Sequence, residues 1–107
     1  MVTVTMDRGR VTARGHAADE TGCAAVSALL YALAGGLANV CPGLRWRIDK
    51  GAAEIPTPDT PEARAMRLMA EVGLRQVAGV REDVRVVGAP EETRSGRTDR
   101  VTEQEDV

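Results

Sequence analysis

The sequence has few aromatic residues, one histidine and two cysteines, and each scarcity narrows what the protein can be. Phenylalanine is absent, and Tyr31 and Trp46 are the only aromatic residues among 107. The core must therefore be aliphatic and small, so we expect additional burial between subunits. One histidine and two distant cysteines form no zinc motif, and neither a calcium loop nor a phosphate-binding glycine motif is present. The sequence therefore predicts neither a metal nor a cofactor.

Long apolar runs and a strong basic charge are also lacking. No run of about 18 apolar residues occurs, because polar residues and glycines interrupt the longest apolar stretch, from Cys23 to Val40. The N-terminus lacks the apolar segment of a signal peptide, so we expect a cytoplasmic protein without a membrane span. The net charge of −2, with no dominant basic stripe, argues against a nucleic-acid partner.

The residue spacing predicts an α+β fold with the order strand, strand, helix, strand, strand, helix, strand. We expect a small antiparallel-leaning sheet with both helices on one face, and a short last strand at its edge. Predicted strands cover 2–7, 11–14, 44–49, 52–55 and 84–87, and the helices begin at Cys23 and Pro61. Thr21 is a candidate cap for the first helix, and Thr60 is the predicted cap of the second. The Gly35-Gly36 pair predicts either a bend in the first helix or a crowded contact.

The chain divides by composition into a domain over 1–89 and a polar segment over 90–107. Acidic, arginine, threonine and serine residues dominate the second part, which has almost no apolar side chains. It cannot bury enough surface to offset its ordering entropy, so we expect a disordered tail.

His16 and Cys23 are the residues with the clearest potential for chemistry. A thiol at the start of a helix lies at the positive end of the helix dipole, which favours the thiolate. A nearby imidazole can hold that thiolate or move its proton, so the pair suggests a cysteine-dependent hydrolase. The alternative is a small core cysteine and a surface or capping histidine. Cys41 follows the same helix, too far from Cys23 for a disulfide, and we expect both thiols to be free.

Two further side chains lie close to this pair in sequence. Asp19 is a candidate to orient the imidazole, although a carboxylate here also suits a solvated loop or a helix N-terminus. Ser27 follows Cys23 by four residues and so shares its helix face. Its hydroxyl either donates toward the site or bonds to a backbone carbonyl, which is the commoner arrangement.

Gly15-His16-Ala17 followed by Cys23-Ala24-Ala25-Val26-Ser27-Ala28-Leu29-Leu30 resembles the ribosomal-processing cysteine protease Prp family, whose element order also matches. The connection between histidine and cysteine, Ala17 to Gly22, is shorter here than in that family. The resemblance implies a homodimeric endopeptidase without a cofactor. Such an enzyme removes a short N-terminal extension from a large-subunit ribosomal protein or, among relatives, processes a phage capsid precursor.

The resemblance also implies roles for individual residues. Cys23 occupies the position of the nucleophile and His16 that of the base. Amides at the start of the helix, with that of Ala24 among the supporting positions, are candidates to stabilise the oxyanion. The competing hypothesis is a non-catalytic binding or assembly module with the same fold and a truncated, inactive site.

Overall fold

Five strands and two helices follow one another in the predicted order in the computed structural model, which describes residues 1–88. The predicted tail over 90–107 lies outside the described residues. The strands are β1 (Val2–Asp7), β2 (Arg10–Gly15), β3 (Arg47–Asp49), β4 (Ala52–Pro56) and β5 (Val84–Gly88), and the helices are α1 (Glu20–Val40) and α2 (Pro61–Val80).

The strands form one mixed sheet in the order β3-β4-β2-β1-β5. Three neighbouring pairs are antiparallel, and only β1 and β5 run parallel, with Val2 opposite Val84. This confirms the α+β class, the antiparallel bias and the edge position of β5. β3 is shorter than predicted because residues 44–46 lie outside the strand, and pairing with β4 involves only Arg47 to Asp49.

Alternation along the strands places the core on one face of the sheet. In β1 the apolar residues Val2, Val4 and Met6 are buried, and the threonines between them are only partly covered. The two helices pack on this face and contact each other. α1 contributes the buried side chains Val26, Leu30, Leu33 and Leu37. A single aliphatic core therefore lies between the sheet and the two helices.

Glycine makes the contact between the helices close. A methyl group placed on Gly36 would lie 3.2 Å from the Met66 sulfur, and one on Gly73 would lie 2.9 Å from Leu29 Cδ2. Gly35 faces open space instead. The crowded contact predicted as one explanation of the glycine pair is therefore found at Gly36, within an uninterrupted helix.

The structure also makes α1 longer than predicted. It begins at Glu20 rather than Cys23, and Asp19, not Thr21, is its cap: the carboxylate of Asp19 accepts a hydrogen bond from the Gly22 amide at 3.0 Å. The prediction for Thr21 is wrong because an aspartate two residues earlier satisfies the first-turn amide. α2 has the predicted cap, with Ala63 N–H donating to Thr60 Oγ1 at 3.1 Å. By length and composition alone, α1 could span a membrane, although its inner side chains form the core.

A matched pair of leucines on α2 tests this core. Leu74 is 0% exposed and Leu68 is 55% exposed. We expect Leu74→Ala to lower the free energy of unfolding by about 2–5 kcal/mol, because it leaves a cavity. Leu68→Ala should change it by less than about 0.5 kcal/mol. Urea unfolding measures both values, and equal effects of the two substitutions would contradict the packing described.

Candidate active site

His16 directly follows β2. At this point Gly15 and Gly51 allow the end of β2, the turn between β3 and β4 and the N-terminal residue to lie close together. The amide of Gly15 donates to the carbonyl of Gly51 at 3.0 Å, which ties the end of β2 to the turn between β3 and β4. Gly15 has a φ of 101°, and a methyl group there would lie 2.1 Å from the carbonyl oxygen of Met1. Only glycine fits this position, and the chain therefore enters residue 16 in a fixed direction.

The exposed imidazole of His16 lies against the backbone of Gly51. A methyl group on Gly51 would lie 2.8 Å from Nε2 and 3.1 Å from Cε1 of the ring. Gly51 also has a φ of 80°, so the turn itself favours glycine. The turn was predictable from Lys50-Gly51, but its contact with the histidine was not, because the two positions are 35 residues apart.

Cys23 is the fourth residue of α1 and is partly buried. Its sulfur accepts a hydrogen bond from the Ala17 amide at 3.3 Å, so the residue after the histidine contacts the thiol directly. The Cys23 amide donates to the carbonyl of Asp19 at 3.3 Å and is therefore already used by the helix. Because α1 begins earlier than predicted, Ala24 also lies inside the helix, where amides donate to the carbonyl four residues before.

An ion cluster holds the connection between His16 and Cys23 in place. Arg81, which follows α2, donates from Nε to Asp83 Oδ1 at 2.9 Å and from Nη2 to Asp83 Oδ2 at 3.0 Å. Nη2 of the same guanidinium donates to Asp19 Oδ1 at 2.8 Å. Asp83 Oδ2 also accepts from the Ala18 amide at 2.7 Å. One arginine and one aspartate, which no local sequence pattern marks, thus bind two points of the connection.

The charges in this cluster support each other. Hydrogen bonds from the Arg81 side chain and then from the Ala18 amide hold the pKa of Asp83 well below its usual range, against the opposing effect of burial. The same hydrogen bond to Asp83 raises the pKa of Arg81. Asp83 therefore stays ionised in the folded protein throughout the physiological range.

Gly22 allows the connection to pack closely against Arg81. A methyl group on this buried glycine would lie 2.7 Å from Ala17 Cβ and 2.8 Å from Arg81 Nε. Alanine would suit a helix better than glycine does, so the requirement here is steric. The connection is therefore fixed at Ala17, Ala18, Asp19 and Gly22.

The predicted site residues have different surroundings. Ser27 is partly buried one turn after Cys23, and Ala24 is exposed. The carboxylate of Asp19 bonds to Gly22 and Arg81, as an N-terminal cap does. The hydrogen bonds described for residues 1–88 include none between the His16 ring and the Cys23 sulfur. Within the same residues, no group of three histidine, cysteine or acidic side chains could hold a metal ion.

The fold is similar to that of several solved structures. Two are crystal structures of the essential ribosomal processing protease Prp from S. aureus. The one with a covalently linked product peptide has a TM-score of 0.68 and 24% identity, and the one with a substrate peptide has a TM-score of 0.69 and 20% identity. A third, described as a hypothetical protein from Staphylococcus aureus, has a TM-score of 0.61 and 20% identity. Each match covers 83% of this chain and 100% of the other.

These structures confirm that the chain resembles Prp in fold. No protein-family model matches the sequence, and no curated protein does. At 20–24% identity, the likeness to these structures is one of fold.

A pair of glycine substitutions tests the contact between Gly51 and His16. Gly43 also has a positive φ, 92°, but a methyl group there would meet nothing within 4 Å. Gly43→Ala and Gly51→Ala should each lower the free energy of unfolding by about 1–2 kcal/mol through backbone strain. Only Gly51→Ala should also shift the imidazole resonances of His16, the single histidine, in ¹H–¹³C NMR spectra. Identical imidazole spectra for both variants would contradict the contact.

The low pKa of Asp83 predicts a pH-dependent contribution to stability. The unfolded chain binds a proton at this aspartate below about pH 4, whereas the folded protein does not, so stability rises with pH across this interval. We expect Asp83→Asn to lower the free energy of unfolding at pH 7, with the difference from the parent protein shrinking as the pH falls below about 4. Urea unfolding at pH 7, 5, 4 and 3 measures this. Glu82→Gln, at the exposed neighbouring position, is the control, and the same trend in both variants would contradict the role given to Asp83.

Proposed function

We propose that the protein is a cysteine endopeptidase resembling Prp. The observation that supports this most directly is the hydrogen bond from the Ala17 amide to the Cys23 sulfur, beside His16, in a fold shared with Prp. An amide that donates to sulfur stabilises the thiolate more than the thiol, because the acceptor then carries a full charge. The positive end of α1 acts in the same direction.

In the proposed reaction His16 takes the proton of the Cys23 thiol, and the resulting thiolate attacks the carbonyl carbon of the scissile peptide bond. The C–N bond then breaks, and the leaving amine takes a proton from His16, which leaves an acyl group on the sulfur. Water, deprotonated by His16, hydrolyses this thioester and regenerates the thiol. Proton transfer requires the imidazole to come within hydrogen-bond reach of the reacting atoms in the substrate complex.

The proposed substrate is a precursor protein with a short N-terminal extension, either a large-subunit ribosomal protein or a phage capsid protein. The two Prp structures contain a substrate peptide and a product peptide. The proposed precursor would present a peptide segment of the same chemical class to Cys23. Both precursors are made in the cytoplasm, where we propose that the enzyme acts as a homodimer.

A second candidate function is a non-catalytic binding or assembly module with the same fold. The observation in its favour is that the described hydrogen bonds include none between His16 and Cys23. In addition, the ion cluster around Arg81 ties down the short connection between them. In this alternative, the thiol is an ordinary small side chain under a fixed loop.

The two cysteines supply a matched experiment for deciding between these functions. Cys23→Ala should abolish cleavage of the precursor by an endopeptidase while the dimer persists, whereas Cys41→Ala, at the other partly buried thiol, should leave cleavage intact. His16→Ala should slow cleavage by a factor of about 10²–10⁴, the usual contribution of a general base. Mass spectrometry of the precursor N-terminus and sedimentation of the variants measure both outcomes.

Alkylation of the thiols gives an answer that needs no substrate. In the Cys41→Ala protein, the rate of iodoacetamide alkylation should stay high below neutral pH and fall in the His16→Ala variant. The Cys23→Ala protein, which keeps only the Cys41 thiol, is the control, and its alkylation rate should not change when His16→Ala is added. Reaction of Cys23 only in the alkaline range, unaffected by His16→Ala, would favour the binding module, as would full cleavage by Cys23→Ala.

A further inference from the structure

The two aromatic residues of the chain are paired with each other on the surface. The rings of Tyr31 and Trp46 meet edge to face, with their centroids 6.2 Å apart. Tyr31 is 51% exposed and Trp46 is 39% exposed. Aromatic side chains usually contribute most when buried, and exposed clusters of them are common at binding surfaces. This chain has only two such residues, so their position outside the core needs an explanation.

Tyr31 lies on the same flank of α1 as the candidate nucleophile. Cys23, Ser27 and Tyr31 follow one another at intervals of four residues, so they form one line along the helix. The opposite flank is the one that contacts α2, through Leu29 against Gly73 and Gly36 against Met66. The line from Cys23 to Tyr31 therefore faces away from α2.

The edge strand β3 borders this flank. β3 is the terminal strand of the sheet order, so its outer backbone groups have no partner strand within residues 1–88. Trp46, which contacts Tyr31, immediately precedes β3, and the turn that follows β3 contains Gly51, against which His16 lies. β3 thus extends from the aromatic pair to the histidine, alongside the helical line from Tyr31 to Cys23.

The surface between β3 and the line from Cys23 to Tyr31, which we call the groove, has the length of a short extended peptide. Eight residues of helix separate Cys23 from Tyr31, or about 12 Å at 1.5 Å per residue. Four residues of an extended strand cover about 13 Å. A peptide paired with the free edge of β3 would therefore place one residue at the sulfur and a residue about three positions away at the aromatic pair. Addition of a strand to an open sheet edge is a common form of peptide recognition.

We propose that the groove between β3 and the Cys23–Tyr31 line binds the part of the substrate that precedes the cleaved bond, with a large apolar side chain of the fourth residue before that bond packed on Tyr31 and Trp46. This inference rests on the proposed function. The preceding part is favoured because it stays attached to sulfur in the acyl-enzyme, so contacts with it act through both chemical steps. The Tyr31–Trp46 pair then determines specificity at a distance from the reacting atoms.

Two peptide chloromethyl ketones test this without knowledge of the natural substrate. The thiolate displaces chloride and forms a thioether with the methylene carbon, so labelling of Cys23 reports binding of the peptide. The probes are acetyl-Leu-Ala-Ala-Ala and acetyl-Asn-Ala-Ala-Ala chloromethyl ketone, used on the Cys41→Ala protein and followed by mass spectrometry. We expect the leucine probe to label about tenfold faster, and Trp46→Ala or Tyr31→Ala to remove most of that preference.

The controls separate failure of the groove from failure of the proposed function. Met69→Ala, at a side chain 73% exposed on α2, should keep the preference. In one outcome, both peptides label faster than chloroacetamide, but with equal rates or with a preference that survives Trp46→Ala. That result would contradict the proposed binding groove and leave the proposed peptidase function in place. If neither labels faster than chloroacetamide, the proposed function fails together with the groove.

Tryptophan fluorescence provides a second measurement, which requires no amino-acid substitution in the groove. Trp46 is the single tryptophan of the chain, so its emission reports on this surface alone. Labelling with the leucine probe should shift the emission to shorter wavelength, and the asparagine probe should shift it less. Equal emission spectra for the two labelled proteins would overturn the proposal.

Discussion

The bidentate ion pair between Arg81 and Asp83 is the interaction on which the geometry of the candidate site depends. It brings a carboxylate to the Ala18 amide and a guanidinium to Asp19, and Asp19 in turn caps α1. The connection that follows His16 is thus held by residues more than 60 positions later in the sequence. An exposed ion pair contributes little to stability, but this one is largely shielded and shares its partners with backbone groups. Its main effect is to fix where the thiol and the imidazole lie.

The order of the elements could be predicted because each leaves a regular pattern in the sequence. The alternation in β1 and the Thr60-Pro61 start of α2 are local signals, and both are found in the structure. The start of α1 is not set by one local signal, because Asp19 and Thr21 both have side chains suited to a cap, and only the fold shows that the aspartate takes this role. The parallel pairing of β1 with β5 joins the two ends of the described residues, and no local pattern in the sequence predicts such a distant contact.

The site could be predicted only in part, for a similar reason. His16 and Cys23 were recognisable because they are close in sequence and of reactive types. The contributions of Arg81, Asp83 and Gly51 were not, since an arginine two residues before an aspartate and a glycine in a turn are common everywhere. The contact between Tyr31 and Trp46 also arises only when the loop before β3 returns to α1. Residues that position a site are therefore harder to identify from the sequence than residues with reactive side chains.

The long sequence separation within the ion cluster has a consequence for synthesis on the ribosome. Asp83 is 65 residues from Ala18, and Arg81 is 62 residues from Asp19. β5 also pairs with β1 across nearly the whole described chain, a type of contact that forms late in folding. The helix with its thiol can form while the nascent chain is still short, but the loop beside it is fixed only after residues 81–88 have left the exit tunnel. A protein built this way acquires the ordered geometry around Cys23 as one of the last steps of its own folding.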